Sequence, residues 1–215
     1  MDKKICLKYY FSVEGQTEKW YLEWLQKQIN DNEKANCKVK FDIQVQKNPI
    51  KRVKSLSVLN KTDIIHVFDF EEVQNESAFQ NTLSYMKEAS AKKKNIKYLL
   101  GYCNYSFELW IILHKKCDVT SKDHRSKYLS VINSCYNENF ETMSQYKEEE
   151  NFKKVLSKLT LNDVKYAIQN AEKITKNNYE NQTKVHFAKY SYYKNNPALN
   201  LHEHIKAIFK DIGFI

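Results

Sequence analysis

Apolar positions in the first half of the chain alternate between strand-like and helix-like spacing. Ile5 to Val13 is rich in apolar and aromatic residues and reads as a strand. Gly15 then permits a tight turn, Thr17 suits a helix N-cap, and Trp20, Tyr21, Trp24, Leu25 and Ile29 recur at helical spacing. The unit is strand, Glu, Gly, helix. Val39 to Val45 alternates apolar and polar residues as a second strand, and Lys47 to Lys54 is a basic loop broken by Pro49, with helix expected over Val53 to Leu59. Ile64 to Phe68 is continuously apolar, as in a strand covered on both faces. Ser77 to Lys92 sets Phe79, Leu83 and Met86 on one helical face; Tyr98 to Cys103 is the next strand, and Phe107 to Lys115 the next helix. Strands alternating with helices predict a parallel α/β sheet flanked by helices.

After about residue 120 the rhythm changes. Tyr128 to Tyr136, Phe152 to Leu159, Asn162 to Ile174 and Leu199 to Ile212 read as helices, and the polar, Tyr-rich stretch Asn177 to Tyr193 as a loop. The expectation is one domain over residues 1–215, an α/β core over 1–120 with a mostly helical C-terminal portion over 121–215. Three Gly and two Pro leave no Gly-rich phosphate loop, which argues against a P-loop or Rossmann site.

The formal net charge of +9 points to an anionic partner such as nucleic acid. The charge is almost all Lys, with Arg only at Arg52 and Arg125, and a Lys-rich surface also serves solubility alone. Five cysteines, Cys6, Cys37, Cys103, Cys117 and Cys135, show no C-x-x-C pair and no zinc spacing, with Cys6 and Cys103 in apolar runs as small buried thiols. This suits a reducing cytoplasm. There is no secretory h-region and no stretch near the roughly 20 apolar residues of a membrane span, so no membrane partner is expected.

Acidic residues stand where apolar runs end. Glu14 follows the first strand, Asp69 with Glu71 and Glu72 follows the third, and Glu108 follows the fourth. A carboxylate at the C-terminal end of a strand lies where an open α/β sheet places its site, and several could share a hard cation. Each residue also has a plainer reading. Glu14 is either a metal ligand or general acid/base beside a phosphate, or a turn Glu favoured by a helix N-terminus; Glu18 in the first helical turn fits the dipole reading. Asp69 and Glu71, two apart, share one side of an extended segment and either bind a divalent cation or belong to a solvated acidic loop. Phe107, Trp110, Ile111 and His114 form one helical face, from which Glu108 points away as a metal ligand or a plain N-terminal Glu. His114 either contacts phosphate or is a structural core histidine. The basic runs Lys47–Lys54 and Lys92–Lys97 either track a nucleic-acid backbone or are solvated faces. Tyr179, Tyr190, Tyr192 and Tyr193, interleaved with Lys184, Lys189 and Lys194, are candidates for stacking bases.

These blocks carry a resemblance. Val13-Glu14-Gly15-Gln16-Thr17-Glu18 followed by Trp20-Tyr21 resembles the EG-x-TE-x-x-Y opening of RloB-like proteins. Val67-Phe68-Asp69-Phe70-Glu71 sits where that family has a strand ending in D-x-D, and Asn104 to His114 resembles its NP-x-FE-x-W-x-x-x-H block. Asn196-Pro197-Ala198-Leu199-Asn200-Leu201-His202 resembles its closing NP-x-T-x-V-H segment. Here the second Asp of D-x-D is Glu71, with Glu72 beside it, and Tyr105-Ser106 replaces the usual Pro-containing pair.

The resemblance implies a Toprim-like core with Glu14 as general acid/base and Asp69 and Glu71 holding Mg²⁺ or Mn²⁺. It also implies association with phage defence and abortive infection, beside an ABC or SMC-like ATPase. The leading expectation is therefore a metal-dependent nuclease acting on DNA or RNA, with Glu14, Asp69, Glu71, Glu108 and His114 as candidate catalytic residues. The alternatives are a non-catalytic module binding nucleic acid or the ATPase partner, and nucleotidyl transfer by the same carboxylates. A homo-oligomer is compatible with all three.

Overall fold

The structure, a computed structural model, describes residues 4–71, 75–117, 120, 124 and 126–215. Arg125 and Glu72 lie outside the described residues. The strand-like runs form β1 (Cys6–Val13), β2 (Lys38–Val45), β3 (Thr62–Phe70) and β4 (Ile96–Asn104). Between them lie α1 (Gln16–Asp31), α2 (Pro49–Ser55) and α3 (Glu76–Lys92), followed by α4 (Glu108–Leu113). The C-terminal portion supplies α5 (Lys127–Tyr136), α6 (Met143–Tyr146), α7 (Glu149–Ser157), α8 (Leu161–Asn181), the short strands β5 (Val185–Phe187), β6 (Tyr190–Tyr192) and β7 (Ala198–Leu199), and α9 (Leu201–Asp211).

The main sheet has the order β2-β1-β3-β4-β7. The first four strands are parallel, with Ser12 beside His66 and Asp69 beside Cys103, and β7 is antiparallel against the end of β4. The period of two in each strand separates two cores. Phe11, Val13, Ile65, Val67 and Cys103 face α1, α4, α8 and α9. Ile64, Phe68, Phe70, Tyr98, Leu100 and Tyr102 face α2, α3 and the β5–β6 hairpin. The chain therefore leaves β1 towards one face and β3 towards the other. The C-terminal ends of these adjacent strands form a topological switch point, the crevice where open α/β sheets bind ligands.

Several local expectations are corrected. Gly15, not Thr17, is the N-cap of α1. Pro49 does not break a loop but opens α2, where Asn48 Oδ1 accepts from the amides of Ile50 and Lys51 at 2.9 and 3.2 Å. Proline is pre-set for that first position and has no amide to leave unpaired. Residues 177–193 are not one loop: α8 continues to Asn181 and a small hairpin follows, with Ala188 at φ 58° in its turn. Cys6 is exposed because it lies at the N-terminal margin of the sheet, whereas Cys103 is buried. The basic run near α2 is not uniformly solvated, since Arg52 is buried against Asp42 at 2.5 Å and Gln44 at 2.6 Å. The helical C-terminal portion shares the α1/α4 core and returns β7 to the sheet. The peptide bonds Asn104–Tyr105 and Asn196–Pro197 are cis.

α8 is the longest helix among the described residues and starts with a reciprocal capping box: Thr160 Oγ1 accepts from the Asp163 amide, and the Asp163 carboxylate accepts from the Thr160 amide at 2.7 Å. Thr160 is exposed, so its substitution removes the cap without a cavity. Thr160→Ala should lower stability by about 1 kcal/mol and the melting temperature by about 2–4 °C for a chain of this size. Urea and thermal unfolding followed by circular dichroism check this.

Candidate functional site

Each carboxylate of the site is delivered by a strand end or by the helix turn that follows it. Glu14 immediately follows β1, and Gly15 directs the chain into α1. A Cβ at Gly15 would stand 3.0 Å from Glu18 Oε2, so the missing side chain leaves room for the Glu18 carboxylate. Asp69 is the penultimate residue of β3, and its backbone amide donates to Glu14 Oε2 at 3.4 Å. Glu71 lies just past β3 and accepts from Asn75 Nδ2 at 3.1 Å. Glu14, Asp69 and Glu71 line one small cavity of about 170 Å³, walled by Phe68 and Phe79.

Two further carboxylates lie within electrostatic reach on the α1/α4 side. Glu18 stands in the first turn of α1, as expected, and is buried, at 4% exposure. Helix α4 is buried all round and has no polar face for Glu108 to occupy. Glu108 instead has no exposed surface, and one of its oxygens accepts a short hydrogen bond from Ser106 Oγ. Its other oxygen lies 3.1 Å from Lys147 Nζ, an ion pair off the hydrogen-bonding direction. Lys147 follows α6 and reaches the sheet edge from the C-terminal portion. On the outer side, Lys47 Nζ lies 2.8 Å from Glu14 Oε1.

The charges tune one another. Burial, then the neighbouring Glu18, Glu108 and Glu14, push the Asp69 carboxyl well above its usual range, with Lys147 opposing. Burial and Glu108 raise Glu18 to about 7, against hydrogen bonds that favour its charged form. Burial opposes the charge of Lys147, but Glu108, Asp69 and Glu18 hold its ammonium above the ordinary value. The Lys47 ammonium is raised by its hydrogen bond to Glu14 and by the charges of Glu14, Glu71 and Glu18, against burial. The site therefore holds more negative charge than its two lysines neutralise, in a partly desolvated crevice.

His114 does not join this group. It is buried, with Nδ1 2.8 Å from the Trp110 carbonyl and Nε2 3.1 Å from the Tyr21 hydroxyl. A carbonyl only accepts, so Nδ1 carries the proton and Nε2 accepts from Tyr21. Burial lowers its pKa to about 4, leaving a neutral ring locked between α1 and α4. The expectation that it reaches phosphate is thus corrected to a packing role. The expected base-stacking row is corrected too. Tyr190, Tyr192 and Tyr193 are buried, with the Tyr190 and Tyr192 hydroxyls directed to the Tyr98 carbonyl and Glu76, and only Tyr179 stands in solvent at 79% exposure. Glu18 was read from sequence only as a charge favoured by the helix dipole, and Lys147, not singled out at all, stands in a polar stretch that carries no sign of its destination.

Among the described residues no group of three or more His, Cys, Asp or Glu side chains is arranged to hold a metal ion as the site stands. The donor chemistry nevertheless suits a hard cation. The converging donors are all carboxylates, and their mutual repulsion shows in the raised Asp69 and Glu18.

The sign of the pH dependence follows. A carboxyl raised from 4.5 to about 7 binds its proton more tightly in the folded state. The folded state is then favoured as pH falls through about 7 and loses that advantage as Glu18 ionises above it. With chelator present, stability should rise between about pH 8 and pH 6 on acidification, and Glu18→Gln should flatten the rise while stabilising the alkaline end by on the order of 1–3 kcal/mol. Urea unfolding across that range measures both.

A family model described as RloB-like protein matches residues 9–208. No curated protein and no solved structure matches the chain.

Proposed function

The chain belongs to the RloB-like family, and from that premise we propose that it is a metal-dependent nuclease of Toprim-like type, hydrolysing phosphodiester bonds of nucleic acid as an effector of bacterial phage defence. The observation that carries this reading is the gathering of Glu14, Asp69 and Glu71 at the C-terminal ends of β1 and β3, with Glu18 and Glu108 behind them. A stably folded protein gains nothing from concentrating like charges in a desolvated crevice, so the cluster is best explained by a positively charged ligand.

In this reading Glu14, Asp69 and Glu71 hold Mg²⁺ or Mn²⁺. When bound, the ion polarises the scissile phosphate and lowers the pKa of a bound water. The chain's own residues supply the rest. Lys47 and Lys147 flank the carboxylates from opposite sides and neutralise non-bridging phosphate oxygens as substrate enters. Glu14 is half-buried beside the largely exposed Lys47, within reach of solvent and substrate, and the family resemblance would make it the general acid/base. Glu18 and Glu108 keep the field negative from behind. The Lys-rich surface adds salt-sensitive attraction for the backbone. An ATPase encoded nearby would act as the partner that controls the activity.

A second reading has its own support. The lysines already pair with Glu14 and Glu108, and no three carboxylates are set to hold a cation among the described residues. This suits a non-catalytic module that binds nucleic acid or the ATPase partner. The two readings separate by experiment. With Mg²⁺ or Mn²⁺, wild type should cut at least one of plasmid DNA, single-stranded DNA, total RNA and tRNA. Glu14→Ala and Asp69→Ala should lose at least about 100-fold of that rate. Mg²⁺ should raise the melting temperature of wild type but not of either variant. Intact substrates under every condition, with nucleic acid still bound, would establish the non-catalytic reading.

A further inference from the structure

A second cavity, of about 540 Å³, lies between the C-terminal half of α8, the approach to β5 and one face of α9 along its length, and shares no residue with the acidic site. Its volume falls in the range of small-ligand sites. Its charge is opposite to that of the acidic site: four lysines line it against Glu172 and Glu203. Lys206 pairs with Glu172, whereas Lys176 and Lys210 are exposed and have no carboxylate partner among the described residues. Lys184 projects over the ring of buried Tyr193, 5.6 Å from its centroid.

Two side chains here are poorly explained by folding alone. Tyr179 presents its ring to solvent at the rim, the most exposed of the large aromatic residues, when the other tyrosines of this region are buried. His202 lines the cavity at 3% exposure, and its Nδ1 has no hydrogen-bond partner. A buried ring nitrogen without a partner is uncommon in a folded protein. Burial lowers the His202 pKa to about 4, so the ring is neutral and offers a hydrogen bond without adding charge.

An open aromatic face, unpaired ammonium groups and a neutral buried polar group match the three parts of one ligand class. We propose that this cavity binds a nucleoside phosphate, either as a free nucleotide or as one residue of a single strand. The base stacks on Tyr179, the phosphate lies among Lys176, Lys184 and Lys210, and His202 reads a polar edge of the base or ribose. The site is independent of the chemistry assigned to the carboxylates.

The test uses the full chain carrying Asp69→Asn, in chelator, so that nothing is consumed at the acidic site. Titration calorimetry with AMP, ATP and inorganic phosphate is paired with fluorescence anisotropy of a labelled single strand of about ten deoxyadenosines. Tyr179→Ala should weaken binding by about ten-fold or more and Tyr179→Phe should not. Lys176→Ala with Lys210→Ala should weaken strand binding and reduce its salt slope by about two. All three positions are exposed, so melting temperatures should be unchanged. Binding of AMP and strand with this dependence identifies a free-nucleotide pocket; binding of the strand alone identifies a strand track. No binding, binding of phosphate as tight as AMP, or binding indifferent to Tyr179 overturns the proposal. Cleavage assays on the Asp69 wild type are scored separately, so loss of the nuclease reading leaves this result intact.

Discussion

Repulsion among carboxylates at one end of the sheet is the constraint around which the rest of the structure is arranged. Glu14, Glu18, Asp69 and Glu108 come from the junctions that follow β1, β3 and β4, strands that the parallel sheet brings side by side. In water such charges would be screened. Here burial first, and then the neighbouring carboxylates, raise Asp69 and Glu18 above ordinary carboxyl values. The fold tolerates this because Lys147 and Lys47 are brought in from two other parts of the chain. A buried Glu108 without Lys147 would leave an uncompensated charge, the costliest kind of buried group. The helices after residue 120 therefore have an electrostatic role as well as a packing one.

The sheet positions this cluster by facing two ways. Odd-numbered residues of β1, β3 and β4 bury towards α1 and α4, and even-numbered ones towards α2 and α3. The helices following β1 and β3 leave on opposite sides, which opens the crevice between those strands. Asp69 has the parity of the α1/α4 side, which suits the influence of Glu18 and Glu108 on its carboxyl, while it also borders the small cavity walled by Phe68 and Phe79. Behind the crevice, Tyr21, Trp110 and His114 form a packed aromatic group in which the hydrogen bond from the Tyr21 hydroxyl to His114 ties α1 to the end of α4. This holds the two junctions carrying Glu18 and Glu108 at a fixed separation.

The acidic crevice and the basic cavity are separate sites of opposite charge. Net charge alone pointed to an anionic partner without saying where it binds. The cavity beside α8 and α9 combines unpaired lysines with an exposed aromatic ring, whereas lysines such as Lys92, Lys153 and Lys194 are already paired with carboxylates.

The sequence by itself determined the alternation of strands and helices through residue 113, the membership of the RloB-like family, and the acidic residues at each strand end, because these depend on short-range periodicity and local motifs. Its failures were those of longer range. The burial of Glu18 and Glu108 and the arrival of Lys147 depend on which elements pack together, and no local pattern states that, whereas the core placement of His114 was one of the two readings its helical face allowed. The same holds for the strand β7, only two residues long, which forms because the end of β4 offers unpaired backbone groups to it. A tyrosine-rich stretch reads alike whether its rings are buried or exposed, and tertiary packing alone separated Tyr190, Tyr192 and Tyr193 from Tyr179. Tertiary structure decided these points because burial and charge pairing are properties of neighbours in space, and most of those neighbours are far apart along the chain.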